Sequence, residues 1–210
     1  MKAEYSDQLE KGLVLPVMEE FYSIQGEGFH TGKAAYFIRI GGCDVGCSWC
    51  DVKESWNAEA FPPSDVHKLL QGAIQSKARS VVVTGGEPLA YNLDYLCNML
   101  RKENFTLYLE TSGSEPLSGD WDWICLSPKK NSPPRKKIYK KANELKIIIG
   151  DKSDLLWAEK NAELVDKDCM LYLQPEWSKR KEVIPGIVDY ILENPKWQIS
   201  IQTHKYLKIP

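Results

Sequence analysis

No stretch of this 210-residue chain is both long and apolar enough to cross a bilayer. Its first twenty residues alternate charges with short apolar pieces, where a signal peptide would carry an uninterrupted apolar region. A cytoplasmic protein working away from membranes is the expectation. The chain also lacks an excess of charge: 27 Lys and Arg stand against 29 Asp and Glu, a net charge of -2. Without a global basic field the expected ligand is a small molecule, with no direct nucleic-acid partner. A disulfide framework is missing too. Cys97, Cys125 and Cys169 stand far apart, each inside an apolar segment, which is the pattern of reduced, buried thiols. There is no internal repeat, and histidines number only three.

With 43% hydrophobic residues over 210 positions, the chain holds enough apolar material for one sizeable core, so a single domain spanning 1–210 is expected. Apolar runs of strand length recur at 34–40, 80–84, 106–110, 123–127, 145–149, 170–174 and 198–201. Between them, 64–76, 93–102, 153–165 and 180–192 carry apolar residues at spacings of three and four and read as helices, with Ser64 and Ser153 placed as N-caps. Strand followed by helix, repeated, defines an α/β fold with a parallel sheet. A complete eight-unit barrel takes about 250 residues, and two of the crossovers here have little helical content. An incomplete, open β/α barrel is the prediction, with a doubly wound open sheet as the alternative. A basic, proline-containing segment, 128–141, with seven Lys or Arg, reads as a solvated loop.

Polar clusters follow the strands. Cys43 to Asp51 comes after the first, Thr84-Gly85-Gly86-Glu87-Pro88 after the second, Glu110 to Gly113 after the third and Ser127-Pro128-Lys129 after the fourth; Gln174-Pro175 and Gln202 to Lys205 end the last two. In a parallel barrel the C-terminal strand ends share one rim, so the clusters are expected to form one active site. Gly85-Gly86 offers backbone that can approach a ligand closely, and Glu87 suits an ammonium group. Glu144 and Lys146 alternate with Leu145 and Ile147, which turns the charged pair into the barrel, either as site residues or as a structural ion pair.

The first cluster is the most informative. Cys43-Asp44-Val45-Gly46-Cys47-Ser48-Trp49-Cys50 has the CxxxCxxC spacing with which a short loop wraps three corners of a 4Fe-4S cubane. Clusters that only carry electrons usually take four thiolates. Three leave one iron open for a small molecule, as catalytic metals keep an open position. The competing readings are a structural zinc site, a redox pair at Cys47 and Cys50, or ordinary loop cysteines.

Two further stretches accompany the triplet: Phe21-Tyr22-Ser23-Ile24-Gln25-Gly26-Glu27-Gly28, and Tyr36-Phe37-Ile38-Arg39. With them the chain resembles the radical S-adenosylmethionine (SAM) superfamily over most of its length, and within it the 7-carboxy-7-deazaguanine synthase family of queuosine and deazapurine biosynthesis. The resemblance implies that Cys43, Cys47 and Cys50 hold a 4Fe-4S cluster whose open iron is chelated by SAM. It places Trp49, Asp51, Gly86, Glu87, Ser127, Pro128, Lys129, Gln174, Pro175, Glu176 and Trp177 around SAM. It places the pterin-like substrate against Ile24, Gln25, Gly26, Glu27, Arg39, Thr84, His204 and the end of the chain at Pro210. Arg39 suits the substrate's carboxylate, which a guanidinium binds bidentately. The family also implies a one-electron donor such as flavodoxin or ferredoxin, and a homodimer.

One position departs from the family pattern. Members of the family it resembles commonly follow the third cysteine with Asp and then Thr or Ser, whose hydroxyl helps to hold magnesium beside the substrate carboxylate; here Val52 follows Asp51. A valine cannot ligate a hard cation. Magnesium must then be held by Asp51, water and substrate, be replaced by another cation, or be absent. Two other functions stay in view: a radical SAM activase of glycyl-radical enzymes, and a non-catalytic zinc-stabilised interaction module with His30 or His67 as fourth ligand.

Overall fold

The structure is a computed structural model describing residues 5–210, so residues 1–4 of the expected domain lie outside the described ones. A short helix, α1 (Ser6–Glu10), precedes an eleven-residue strand, β1 (Val14–Ile24), and then β2 (Ala34–Ile40), β3 (Pro63–Asp65) and α2 (Val66–Gln75). Next come β4 (Ser80–Gly85), α3 (Asp94–Lys102), β5 (Thr106–Thr111), β6 (Trp123–Leu126) and α4 (Lys136–Tyr139). The chain continues through β7 (Glu144–Ile149), α5 (Ser153–Ala162), β8 (Met170–Pro175), α6 (Arg180–Glu193), β9 (Trp197–Ile199) and α7 (Thr203–Leu207). No helix among the described residues is long and apolar enough to cross a membrane.

The nine strands among the described residues form one sheet in the order β3-β1-β2-β4-β5-β6-β7-β8-β9. From β2 onward every pairing is parallel and every neighbour is the next such strand in sequence. A doubly wound sheet would reverse its order at a switch point; this one does not, and β3 and β9 remain unpaired edges of an open barrel. The poorly helical crossovers are real: residues 112–122 join β5 to β6 without a helix, and only the four-residue α4 joins β6 to β7.

Period-two alternation sorts the side chains into two layers. Ile38, Val83, Leu109, Leu126, Leu145, Ile147 and Leu173 point outward and join Leu69, Leu96, Leu100, Ala158 and Ile187 of the helices in the main core. Burying each such Leu or Ile stabilises the fold by about 1.5–3 kcal/mol. Inside the barrel, Ala35, Phe37 and Val82 make a smaller apolar floor with Phe21 and Tyr108. Strand register then sets the inward polar residues side by side: Arg39 beside Thr84, Glu110 beside Cys125, and Cys125 beside Glu144.

Three local expectations change. β1 is a strand that periodicity does not reveal, since Pro16, the adjacent Glu19 and Glu20, and a register shift between Val17 and Glu19 break its alternation. Asp65, one residue after Ser64, caps α2 by accepting from His67 N at 2.7 Å. At α5 the residue in the cap position is Lys152, while Asp151 accepts from Ser153 N at 2.7 Å and from its hydroxyl at 2.5 Å.

Candidate active site

The strand ends and the loops that follow them enclose a cavity of about 260 Å³. Residues from the clusters after β2, β4, β5, β6, β8 and β9 all line it, together with the Ile24–Glu27 segment after β1 and Lys146 and Ile148 from β7. The expectation of one rim is met.

The cysteine loop is pinned from several directions. Gly42 N donates to Ser55 O at 2.6 Å and Cys43 N to Trp56 O at 3.2 Å, while the Asn131 amide donates to Val45 O. That last contact shows that segment 128–141 is more than a solvated loop: it buttresses the cysteines and sends Lys129 into the cavity. Lys129 Nζ donates to Ser127 O at 2.5 Å and lies 5.5 Å from the centre of the Trp49 ring, and burial lowers its pKa.

Cys43, Cys47 and Cys50 all face the cavity as free, half-buried thiols. Burial raises the pKa of Cys43 and Cys47, and neighbouring thiols of the triplet add to the rise; for Cys47, Lys129 opposes it. Three thiols on one wall suit a cationic iron centre. Among the described residues no three His, Cys, Asp or Glu side chains are arranged to hold a single metal ion. A cluster does not require that, because each thiolate binds a different iron. The three thiols are donors that fit a 4Fe-4S cluster. His30 stacks on Tyr108 at 4.1 Å and His67 lies 3.0 Å from the Tyr95 hydroxyl, and neither faces the cavity.

Glu87 needs correction. Its side chain is buried and does not line the cavity, and neither does Pro128. Its carboxylate accepts from Leu89 N at 3.1 Å, Thr111 Oγ1 at 2.5 Å, Ser112 N at 2.8 Å and Ser112 Oγ at 2.5 Å, which leaves no place for an ammonium. Nor are the backbone N–H groups of this turn free for a ligand: Gly86 N donates to Ile40 O at 2.8 Å and Glu87 N to Gly42 O at 2.9 Å. These bonds lock the turn to the backbone beside Cys43, and Gly85 and Gly86 alone of the pair's neighbourhood reach the cavity wall with Thr84.

The segment Gln25-Gly26-Glu27-Gly28 fits its place because two glycines allow close approach. A Cβ on Gly26 would lie 2.1 Å from His204 Nδ1, and one on Gly28 1.9 Å from Glu144 Oε1 at a φ of +63°. Gln25 Nε2 donates to Glu110 Oε1 at 2.8 Å and Thr84 Oγ1 to Glu110 Oε2 at 3.2 Å, so Glu110 fixes two cavity-facing side chains. Arg39 also faces the cavity, and its Nε donates to Glu19 Oε1 at 2.6 Å.

In the cavity wall Lys146 makes an ion pair with Glu27, not with Glu144. Burial alone would raise the Glu27 pKa, but the Lys146 charge and hydrogen bonds from Lys146 and Gln202 bring it down to about 2. Burial alone would lower the Lys146 pKa, but Cys125, Glu27, Glu110 and Glu144 hold it well above the ordinary lysine value. Glu144 instead accepts from Trp123 Nε1 at 3.0 Å and Phe29 N at 3.2 Å.

The tail closes the site. Thr203 donates to Gly26 O through N at 2.9 Å and Oγ1 at 3.0 Å, which seats α7 on the Gln25–Gly28 segment. His204 and Pro210 line the cavity; His204 belongs to α7 and not to a strand end, and Ser23 Oγ donates to Pro210 O at 3.2 Å. Asp51 Oδ2 accepts from Lys205 Nζ at 2.5 Å and from Gln202 Nε2 at 3.0 Å. Magnesium fits these residues poorly: Val52 supplies no side-chain oxygen, its carbonyl already accepts from Ser55, and Asp51 Oδ2 already accepts from the Lys205 ammonium and Gln202. Sequence reasoning gave no role to Glu110, Gln202 or Lys205 beyond membership of a polar cluster. Their signal was present in the inward position of Glu110 on its strand and the polarity of the tail.

An open parallel barrel with three free thiols at one rim cavity defines an enzyme of the cluster-bearing barrel class. The model of the Radical SAM superfamily matches residues 37–147. A 7-carboxy-7-deazaguanine synthase of Flavobacterium psychrophilum is 57% identical over 202 residues, 96% of each chain. One from Synechocystis sp. is 47% identical over 194 residues, 92% of this chain and 93% of its own. The crystal structure of QueE from Escherichia coli matches with a TM-score of 0.81 at 28% identity, over 96% of this chain and 99% of that one. This chain belongs to the radical SAM superfamily and, within it, to the 7-carboxy-7-deazaguanine synthase family.

Proposed function

We propose that this chain is a radical SAM lyase that converts 6-carboxy-5,6,7,8-tetrahydropterin to 7-carboxy-7-deazaguanine with loss of ammonia. The observation that carries the reading is the sharing of one cavity by the cysteine triplet and the carboxylate-binding candidate Arg39. An activase of a protein substrate would need an open groove, whereas this cavity is capped by α7 through its bonds to Gly26.

Cys43, Cys47 and Cys50 would hold the 4Fe-4S cluster that the family implies. When bound, the cluster and SAM would together supply a 5′-deoxyadenosyl radical able to take one hydrogen from C6 of the substrate and to have one returned to the product, since loss of ammonia alone accounts for the change in composition. The chain's own work is binding, orientation and exclusion of water. Trp49, Asp51, Gly86, Ser127, Lys129, Gln174, Pro175, Glu176 and Trp177 line the part of the cavity assigned to SAM. Arg39 offers the substrate carboxylate a guanidinium. Gln25 and Thr84, both held by Glu110, present fixed polar groups to the ring, with Ile24, Gly26, His204 and Pro210 completing the wall. Glu27 acts through its neighbours, joining Lys146 to Gln202 in the tail. The one-electron donor is a flavodoxin- or ferredoxin-like protein, and the working form is a homodimer.

The test is anaerobic reconstitution with iron and sulfide, then incubation with SAM, reductant and the pterin. The expected result is 7-carboxy-7-deazaguanine, with turnover abolished in Cys47→Ala. Reductive SAM cleavage with bound pterin but without the deazaguanine product would overturn the substrate assignment.

A further inference from the structure

Asp51 and Lys205 come from opposite ends of the chain and meet at the cavity's edge. Lys205 Nζ lies 2.5 Å from Asp51 Oδ2, and the same oxygen accepts from Gln202 Nε2 at 3.0 Å. The ammonium is confined. The Lys205 side chain is only 20% exposed, and its Nζ sits 4.8 Å from the centre of the Trp177 ring. Its backbone is fixed as well, because α7 begins with Thr203 bound twice to Gly26 O. Beside Asp51 the chain places Val52, also facing the cavity. A divalent cation there would meet an Asp51 oxygen already engaged by an ammonium and an amide, and no side-chain hydroxyl at residue 52. Magnesium is ordinarily held by one or two carboxylates, with water and substrate completing an octahedron, and here the Lys205 ammonium stands where such an ion would meet Asp51 Oδ2.

We propose that the Lys205 ammonium takes the place of a divalent cation at Asp51, so that this enzyme carries its own fixed cation beside the carboxylated substrate and turns over without magnesium. The proposal rests on the substrate reading above. The two features act together: Val52 offers a metal no side-chain oxygen, and Lys205 supplies a positive charge at Asp51 in its place. One fixed positive charge replaces two from a soluble ion, and the remaining anionic charge of the substrate falls to Arg39.

The direct test is manganese(II) titration of the reconstituted protein with bound SAM and pterin, read by electron paramagnetic resonance. Manganese serves as the magnetic substitute for magnesium. The wild type is expected to show no stoichiometric site, and its turnover is expected to be unchanged between chelator and added magnesium. Lys205→Met, checked for an intact cluster spectrum, is expected to lower kcat/KM about tenfold, the usual scale for losing a hydrogen bond to a charged group, chiefly through KM. Lys205→Arg is expected to restore much of it. Lys205→Met combined with Val52→Thr is expected to gain a manganese signal and a magnesium-dependent turnover. A one-to-one manganese site in the wild type that is lost in Asp51→Asn would overturn the proposal, as would unchanged KM in Lys205→Met. Because manganese binding is read without turnover, these outcomes stand apart from failure to form the deazaguanine.

Discussion

Replacing Glu27 by Gln removes one negative charge while keeping the side chain's shape and its oxygen for Gln202 Nε2. The cost falls on Lys146. Its side chain is 6% exposed, and that of Glu27 is 14% exposed, so the ammonium would stay desolvated without its ion-pair partner. Breaking a buried pair from one side typically costs about 3–5 kcal/mol. Glu110 and Glu144 still act on Lys146, which puts the expectation at the low end, about 3 kcal/mol. For a chain of this size that is a drop of roughly 6–12 °C in Tm. Adding Lys146→Met removes the stranded charge and is expected to recover most of the loss, giving a strongly non-additive double-mutant cycle. Thermal unfolding of the cluster-free protein, wild type and three variants side by side, is the assay. A loss below about 1 kcal/mol in Glu27→Gln, or a double variant as destabilised as the sum of the singles, would refute the buried-charge argument.

Acid should act on the same pair. Glu27 has its pKa depressed to about 2 in the folded state, so its contribution is fully present above the ordinary carboxylate range and is lost as pH falls toward 2. Acid unfolding of the wild type is expected to steepen there, and that of Glu27→Gln to be flatter; equal slopes would contradict the assignment. Gly26→Ala puts a methyl 2.1 Å from His204 Nδ1 and is expected to displace α7, lowering kcat/KM while leaving the cluster's absorption spectrum unchanged. Arg39→Ala is expected to raise the KM for the pterin by about tenfold or more with little change in SAM affinity, since a hydrogen-bonded charge pair is lost; an unchanged KM would remove Arg39 from the substrate site.

The barrel was legible because its strands are short apolar runs with inward polar residues at period two, and Thr84, Glu144 and Lys146 kept that alternation. β1 was not: Pro16 and the Glu19-Glu20 pair hide it, and its pairing is antiparallel, outside the strand-helix rhythm. Glu87 misled for a different reason. A Glu followed by Pro88 at the start of a short turn is also a capping arrangement, and the carboxylate accepts from Leu89 N. Which reading applies depends on Thr111 and Ser112, brought over from the next strand. The tail shows the same limit. Lys205 and Asp51 are 154 residues apart, and no local pattern reports that they meet.

The central claim is that one cavity brings the SAM-derived radical against C6 of the carboxylated pterin. The direct measurement is turnover with substrate deuterated at C6, followed by mass spectrometry of the 5′-deoxyadenosine released. The account predicts deuterium in 5′-deoxyadenosine together with formation of 7-carboxy-7-deazaguanine. Unlabelled 5′-deoxyadenosine accompanying product would contradict it.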